Sequence, residues 1–280
     1  MAENGCQPFS ERSLGAGGPR VAPAHILDAW SALSLCMLAA ATIFAAVAHG
    51  AMGFGFPLLS TPLVALFTDV RTAVLVTLVP NLLLNLLSIV RGHAWRETLR
   101  QHWPVAAYVL AGTIVGSRVL VHAGTGVLRL LLASMIVVYL VQGRRQGTAP
   151  AHMTRFARLA PAVYGSLGGF FAGTVNVALP PLLMYFSSLG LAPLALTQAL
   201  NLSFLVGRLT QAAAVAWAGR WSGELIGLSL PLCLIAVPAL QAGYRLQRRI
   251  RANTFLRLLR GTLWSMAALL VGQAAHGYLS

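Results

Sequence analysis

The feature that most limits this chain is a series of long apolar runs that carry almost no charge, among them Trp30–His49, Thr72–Val90 and Val127–Val141. An α-helix rises 1.5 Å per residue, so roughly 20 apolar residues cross the hydrocarbon core of a bilayer. The apolar residues come in continuous stretches rather than at the helical spacing that marks one buried face of a soluble helix. The runs therefore predict membrane-spanning helices.

Composition agrees and excludes other classes. Of 280 residues, 57% are hydrophobic and 9% charged, against about 25% charged in soluble chains. Mean hydropathy is +0.73. A soluble enzyme, a disordered chain and a disulfide-rich secreted module are all excluded. Cys6, Cys36 and Cys233 show neither metal spacing nor a CxxC pair, and read as small hydrophobes. No metal, cofactor or catalytic set is expected, because no Ser/His/Asp group, carboxylate pair or phosphate loop is present. The stretch Gly50–Phe56 superficially resembles a nucleotide loop, but it lies in a membrane segment without the strand–helix context that such a loop needs.

The sign of the charge needs placing. The chain has 20 basic and 6 acidic residues, for a net charge of +14, and every basic residue is Arg. A pI near 11.4 raises nucleic acid as a partner. The arginines sit between apolar segments instead, which makes them a topology signal.

The order of segments suggests four units: a mobile N-terminal tail over 1–29, a first transmembrane repeat over 30–142, a cytoplasmic linker over 143–159 and a second repeat over 160–280. Each repeat opens with a broken apolar segment. In the first, His49-Gly-Ala-Met-Gly-Phe-Gly-Phe-Pro57 interrupts Trp30–Phe67; in the second, glycines, Asn176 and Pro180-Pro181 interrupt Ala160–Leu189. Thr77-Leu-Val-Pro-Asn81 then matches Thr197-Gln-Ala-Leu-Asn201. Gly116-Ser-Arg118 matches Gly243-Tyr-Arg245, and Arg129-Leu-Leu matches Arg257-Leu-Leu. If each break is a hairpin, twelve loop arginines fall on one face and six on the other, which the positive-inside rule makes the cytoplasmic and outer faces. Each repeat then crosses an odd number of times, and the repeats are inverted. The expected fold is all-α and polytopic, with two inverted repeats and about 8 to 10 membrane segments.

Irregular backbone at membrane depth is tolerated where it lines a protein-buried cavity, and half-helix N-termini there favour anions. On this basis the candidate substrate-binding residues are Gly50, Gly53, Gly55, Pro57, Asn81, Gly173, Asn176, Pro180, Asn201 and Arg208. Backbone N–H groups near Gly53 and Gly173, the three side-chain amides and the Arg208 fork are all donors suited to an oxyanion. For any one residue the alternative is structural: small residues pack helices closely, amides bond between helices for about 0.6 kcal/mol, and an Arg snorkels. His49, beside the first break, is read as structural in the first instance, or as a proton carrier.

These residues resemble the TauE/SafE, or sulfite-exporter, family of permeases, also called the 4-toluene sulfonate uptake permease family. The likeness covers about Ile43 to Ala275 and rests on the duplicated Gly-rich and Pro-Leu-Leu stretches, the Asn-bearing segments and the Gly-x-Arg turns. The family's first-repeat signature is a denser Gly run, thinned here to Gly50, Gly53 and Gly55. The resemblance implies a bacterial inner-membrane permease for small anions such as sulfite, sulfonates or other organic and sulfur oxyanions, and no enzyme. Expected partners are the anion and the bilayer, with a homodimer left open and no nucleic acid. A non-transporting subunit or assembly factor, or a membrane enzyme on lipid-linked substrates, remain the alternatives; the first would lack the midplane breaks and the second would need clustered acid–base residues.

Overall fold

The computed structural model describes residues 31–92, 95–142, 159–247, 249, 261, 263–266, 268–269 and 272. The proposed tail over 1–29 and the linker over 143–159, apart from Leu159, lie outside the described residues. The helices are α1 (Ala32–Met52), α2 (Phe56–Ala65), α3 (Val70–Gly92), α4 (Trp95–His122), α5 (Thr125–Gln142), α6 (Ala160–Val175), α7 (Leu179–Ser188), α8 (Pro193–Trp217) and α9 (Gly223–Gln247). Further helical residues fall between 261 and 272, and there is no strand among the described residues.

Six of these helices (α1, α3, α4, α5, α8 and α9) are long and apolar enough to span a bilayer. Apolar side chains face outward as well as into the core, and polar ones are drawn inside. Leu33, Leu110, Val115, Leu194, Leu234 and Trp217 are exposed, whereas Asn81, Asn85, Asn176, Asn201, Gln211 and Arg208 are buried. A chain surrounded by lipid gains nothing by hiding leucines and must keep its polar groups inside.

Sequence segments and helices agree closely except at α4. The apolar run begins at Trp103, but the helix starts at Trp95, with His102 at φ −115°, ψ 16° inside it. Pro104 explains the kink, since it lacks an N–H and crowds the preceding turn. Trp95–Gln101 forms a charged arm that hydropathy does not register as membrane helix.

Glycine sets how closely the long helices approach. On the α4–α6 seam, a Cβ on Gly112 would strike Ser166 O, one on Gly116 would strike Phe170 O, and one on Gly169 would strike Val109 O. A Cβ on Gly173 would lie 2.5 Å from Thr113 O. The α1–α9 seam uses one pair: Gly50 faces Leu240 O and Gly243, and Gly243 faces Val47 O. Lipid tails give no hydrophobic drive between helices, so close backbone contact supplies the association.

The helix ends group into two sets. Gln198, near the start of α8, donates to Ser88 O at 3.2 Å, near the end of α3. Tyr244, near the end of α9, also meets Ser88. At the opposite end Arg71 donates to Leu120 O at 2.9 Å and to Ala123 O at 2.7 Å. Thus α3 and α8 run antiparallel, and α9 runs with α3.

Candidate functional site

Both interruptions read from the sequence are real helix breaks, and they share a construction. α1 ends at Gly53 (φ 83°, ψ −1°) and α6 ends at Asn176 (φ 69°, ψ 4°), both left-handed. A left-handed residue closes a helix by returning its N–H to an earlier carbonyl, a conformation open to Gly and, among other residues, best to Asn. Gly53 N–H returns to His49 O, and Asn176 N–H to Phe171 O. Each break is followed by a 10-residue helix with proline in its first turn. Such a helix, at about 15 Å, covers half the hydrocarbon thickness. In the second break the arms fold back on each other: a Cβ on Gly168 of α6 would lie 2.7 Å from Leu182 of α7.

Two central helices face the breaks, each with a polar stripe. On α8, Thr197 and Asn201 meet the first break. Asn201 Nδ2 donates to Gly53 O at 2.7 Å and to Thr197 O at 3.0 Å, and the Thr197 methyl sits under Gly53. Two turns further on, Arg208 donates to Gln211 Oε1 at 2.6 Å, and Gln211 Nε2 donates to Gly173 O at 3.0 Å, one turn before the second break. On α3 the order is reversed. Thr77 meets the second break, where Asn176 Nδ2 donates to Thr77 Oγ1 at 3.2 Å and to Thr61 Oγ1 of α2 at 3.3 Å. Asn81 follows and accepts from Asn85 Nδ2 at 3.0 Å. Ser88, near the far end, meets His49 of α1 at 2.9 Å.

Of the ten candidate residues, nine are buried and Gly53 is half-buried. The structure ties Asn201 to Gly53, and Arg208 through Gln211 to Gly173. Asn176 is tied to the opposite half rather than to another candidate, and Asn81 pairs along its own helix. Gly50 and Gly173 lie in helix–helix seams. Gly55 caps α2, with Pro57 in the first turn of that helix. Pro180 sits likewise in α7, and prolines at these positions have no N–H to offer an anion. Among the described buried side chains around the breaks, the donors without a partner are Asn81 Nδ2, Arg208 Nε, Ser60 Oγ and Ser117 Oγ, and the amide oxygens of Asn85, Asn176, Gln198 and Asn201 are unpartnered as well.

Sequence reasoning did not single out Thr61, Ser88 or Tyr244. Ser88 carried a usable signal, since it lies seven residues after Asn81 on the same helical stripe. Tyr244 lies inside the Gly-x-Arg match, which is helical in α9 and, at Gly116–Arg118, in α4 rather than a turn, and nothing in that pattern showed that it points inward.

Long apolar helices, buried polar stripes and two helix breaks facing them define a multi-pass membrane protein of transporter type. The model of one family, Sulfite exporter TauE/SafE, matches residues 38–270. The chain belongs to that family. No curated protein and no solved structure matches it.

Proposed function

We propose that the protein carries small oxyanions, sulfite and sulfonates foremost, across the bacterial inner membrane by alternating exposure of a site between the two breaks. The observation that carries this reading is the pair of polar stripes on α3 and α8, each running from one buried break to the other. They hold Asn81 Nδ2 and the Arg208 guanidinium, whose Nε has no protein partner. A buried, uncompensated guanidinium costs about 2.5 to 3.5 kcal/mol to insert. An oxyanion would return that cost through charge-assisted hydrogen bonds. Asn81 Nδ2 and Arg208 would hold the anion, while Asn176 and Asn201, whose Nδ2 groups bond within the protein, would hold the breaks that Gly53, Gly55, Pro57, Gly173 and Pro180 shape.

In this reading the two repeats are inverted and the breaks are hairpins, giving about 8 to 10 membrane segments. Three observations support it. The matching helices α3 and α8 are antiparallel. The α4–α6 and α1–α9 seams are reciprocal, each joining the fourth helix of one repeat to the broken helix of the other. Thr77 faces the second break and Thr197 the first. A reporter fused after Ser280 then reports the outside; a cytoplasmic report overturns the hairpins.

The deciding experiment is flux of labelled sulfite, taurine and toluene sulfonate in proteoliposomes. Wild type moves at least one of them, and Arg208→Ala and Asn201→Ala each lower the rate more than tenfold. Absence of flux and of binding for all three ends this reading.

A further inference from the structure

A cavity of about 390 Å³ opens at the end of the bundle where α3 and α9 finish, lined by Leu87, Arg91, Gln241, Tyr244 and Arg245. Two guanidiniums line it, and no carboxylate does among the described residues. Arg91 is held in place, its guanidinium stacked 3.6 Å from the centroid of the Tyr244 ring. Such stacking uses the face of the guanidinium and leaves its edge N–H groups free to donate.

Behind Tyr244, which lines the cavity, runs a chain of hydrogen bonds. Phe56 N–H, at the start of α2, donates to His49 Nδ1 at 3.2 Å. A backbone N–H can only donate, so Nδ1 accepts and the imidazole carries its hydrogen on Nε2. Nε2 lies 2.9 Å from Ser88 Oγ and therefore donates to it. Ser88 Oγ lies 3.1 Å from Tyr244 Oη. Ser88 Oγ has a second lone pair and a hydrogen of its own, so the Ser88–Tyr244 bond can run either way; when Ser88 donates, the Tyr244 O–H is free for a ligand. The chain thus links a backbone amide inside the first break to a tyrosine that lines a surface cavity beside two arginines.

We propose that Arg91, Tyr244 and Arg245 form a second anion site, at the arginine-rich end of the bundle, that takes one tetrahedral oxyanion group. The group is either a free sulfite, sulfate or sulfonate or the phosphate of an acidic lipid headgroup. The site is separate from the one between the breaks and does not depend on transport.

The test is equilibrium binding of labelled sulfate to the full chain in phosphatidylcholine nanodiscs, repeated with phosphatidylglycerol added. Sulfate binds in the first nanodisc, and binding weakens as chloride rises. Arg91→Gln and Arg245→Gln each weaken it at least tenfold, Tyr244→Phe threefold to tenfold, and Arg91→Lys less than Arg91→Gln. Competition by phosphatidylglycerol assigns a headgroup as an occupant as well; no competition assigns the free anion alone. Arg208→Ala leaves this binding intact even where it abolishes flux, which separates the two sites. Equal sulfate and phosphatidylglycerol binding by wild type and a folded Arg91→Gln/Arg245→Gln double variant overturns the proposal.

Discussion

The two breaks share a backbone and differ in what satisfies it. At the first, the closing residue is Gly53 and the polar cluster is His49, Ser88 and Tyr244, every member hydrogen-bonded to another. At the second, the closing residue is Asn176, and the neighbouring cluster is Arg208 and Gln211 with Ser117 on the facing helix. Arg208 Nε and Ser117 Oγ have no partner in the protein there. Ser88 and Arg208 occupy matching places, seven residues beyond Asn81 and Asn201. One half thus fills its position with a neutral network and the other with a permanent cation. A helix break needs only a left-handed residue and a facing threonine, so the flanking side chains are free to specialise.

That comparison can be broken at its frame first. Gly116→Val places branched carbons into the Phe170 carbonyl, and Gly243→Val does the same against Val47. Overpacking costs about 1–3 kcal/mol and occasionally more. Gly116→Val has the larger effect because the α4–α6 seam has several such contacts and the α1–α9 seam one pair. Thermal unfolding in detergent, with size-exclusion profiles, reads the order; a larger loss for Gly243→Val would make the α1–α9 seam the stiffer one.

The next variant separates stability from function at Arg208. Arg208→Met removes a buried charge that costs about 2.5 to 3.5 kcal/mol to insert, against about 1–3 kcal/mol for the Gln211 Oε1 left without its donor. Arg208→Met therefore keeps or raises the unfolding midpoint while anion flux falls more than tenfold. A lowered midpoint with normal flux would make Arg208 structural, like its counterpart Ser88.

His49→Ala probes the neutral cluster. It leaves the Phe56 N–H without its acceptor and breaks the link to Ser88, at about 1–3 kcal/mol. The loss appears as a lower midpoint, and faster hydrogen exchange at Phe56 assigns it to this bond.

Exchanging the closing residues gives the smallest effect. Asn176→Gly keeps the left-handed backbone and gives up the bonds to Thr61 and Thr77, about 1 kcal/mol. Gly53→Asn costs more, because its Cβ would lie 2.7 Å from the Thr197 methyl. Equal midpoints for the two variants would mean that Thr197 yields easily and the breaks are interchangeable.

Much of the fold was legible because its signals are local. Apolar run length gave the spanning helices. Gly53, Gly55 and Asn176 mark left-handed positions, and Pro57 and Pro180 mark helix starts, so both breaks could be placed before any contact was known. The α4 start was missed because Arg96, Glu97 and Arg100 belong to a helix that hydropathy does not score. The site was legible only as a set of residue types. Asn81, Asn201 and Arg208 stand out as polar among leucines, but Gly50 and Gly173 look the same in sequence whether they line a cavity or a seam.

The net charge of +14 shows the same division. The sequence alone determined that most arginines, Arg208 excepted, lie between or at the ends of membrane segments and that the chain belongs in a bilayer, because charge and apolar length act residue by residue. Only the tertiary structure decided that Arg91 and Arg245 share a cavity, that Asn176 meets Thr61 across 115 positions, and that His49 is linked to Tyr244 through Ser88. Those contacts depend on the rotation and depth of one helix against another. A uniformly apolar run leaves both undetermined, and close glycine packing and buried hydrogen bonds fix them.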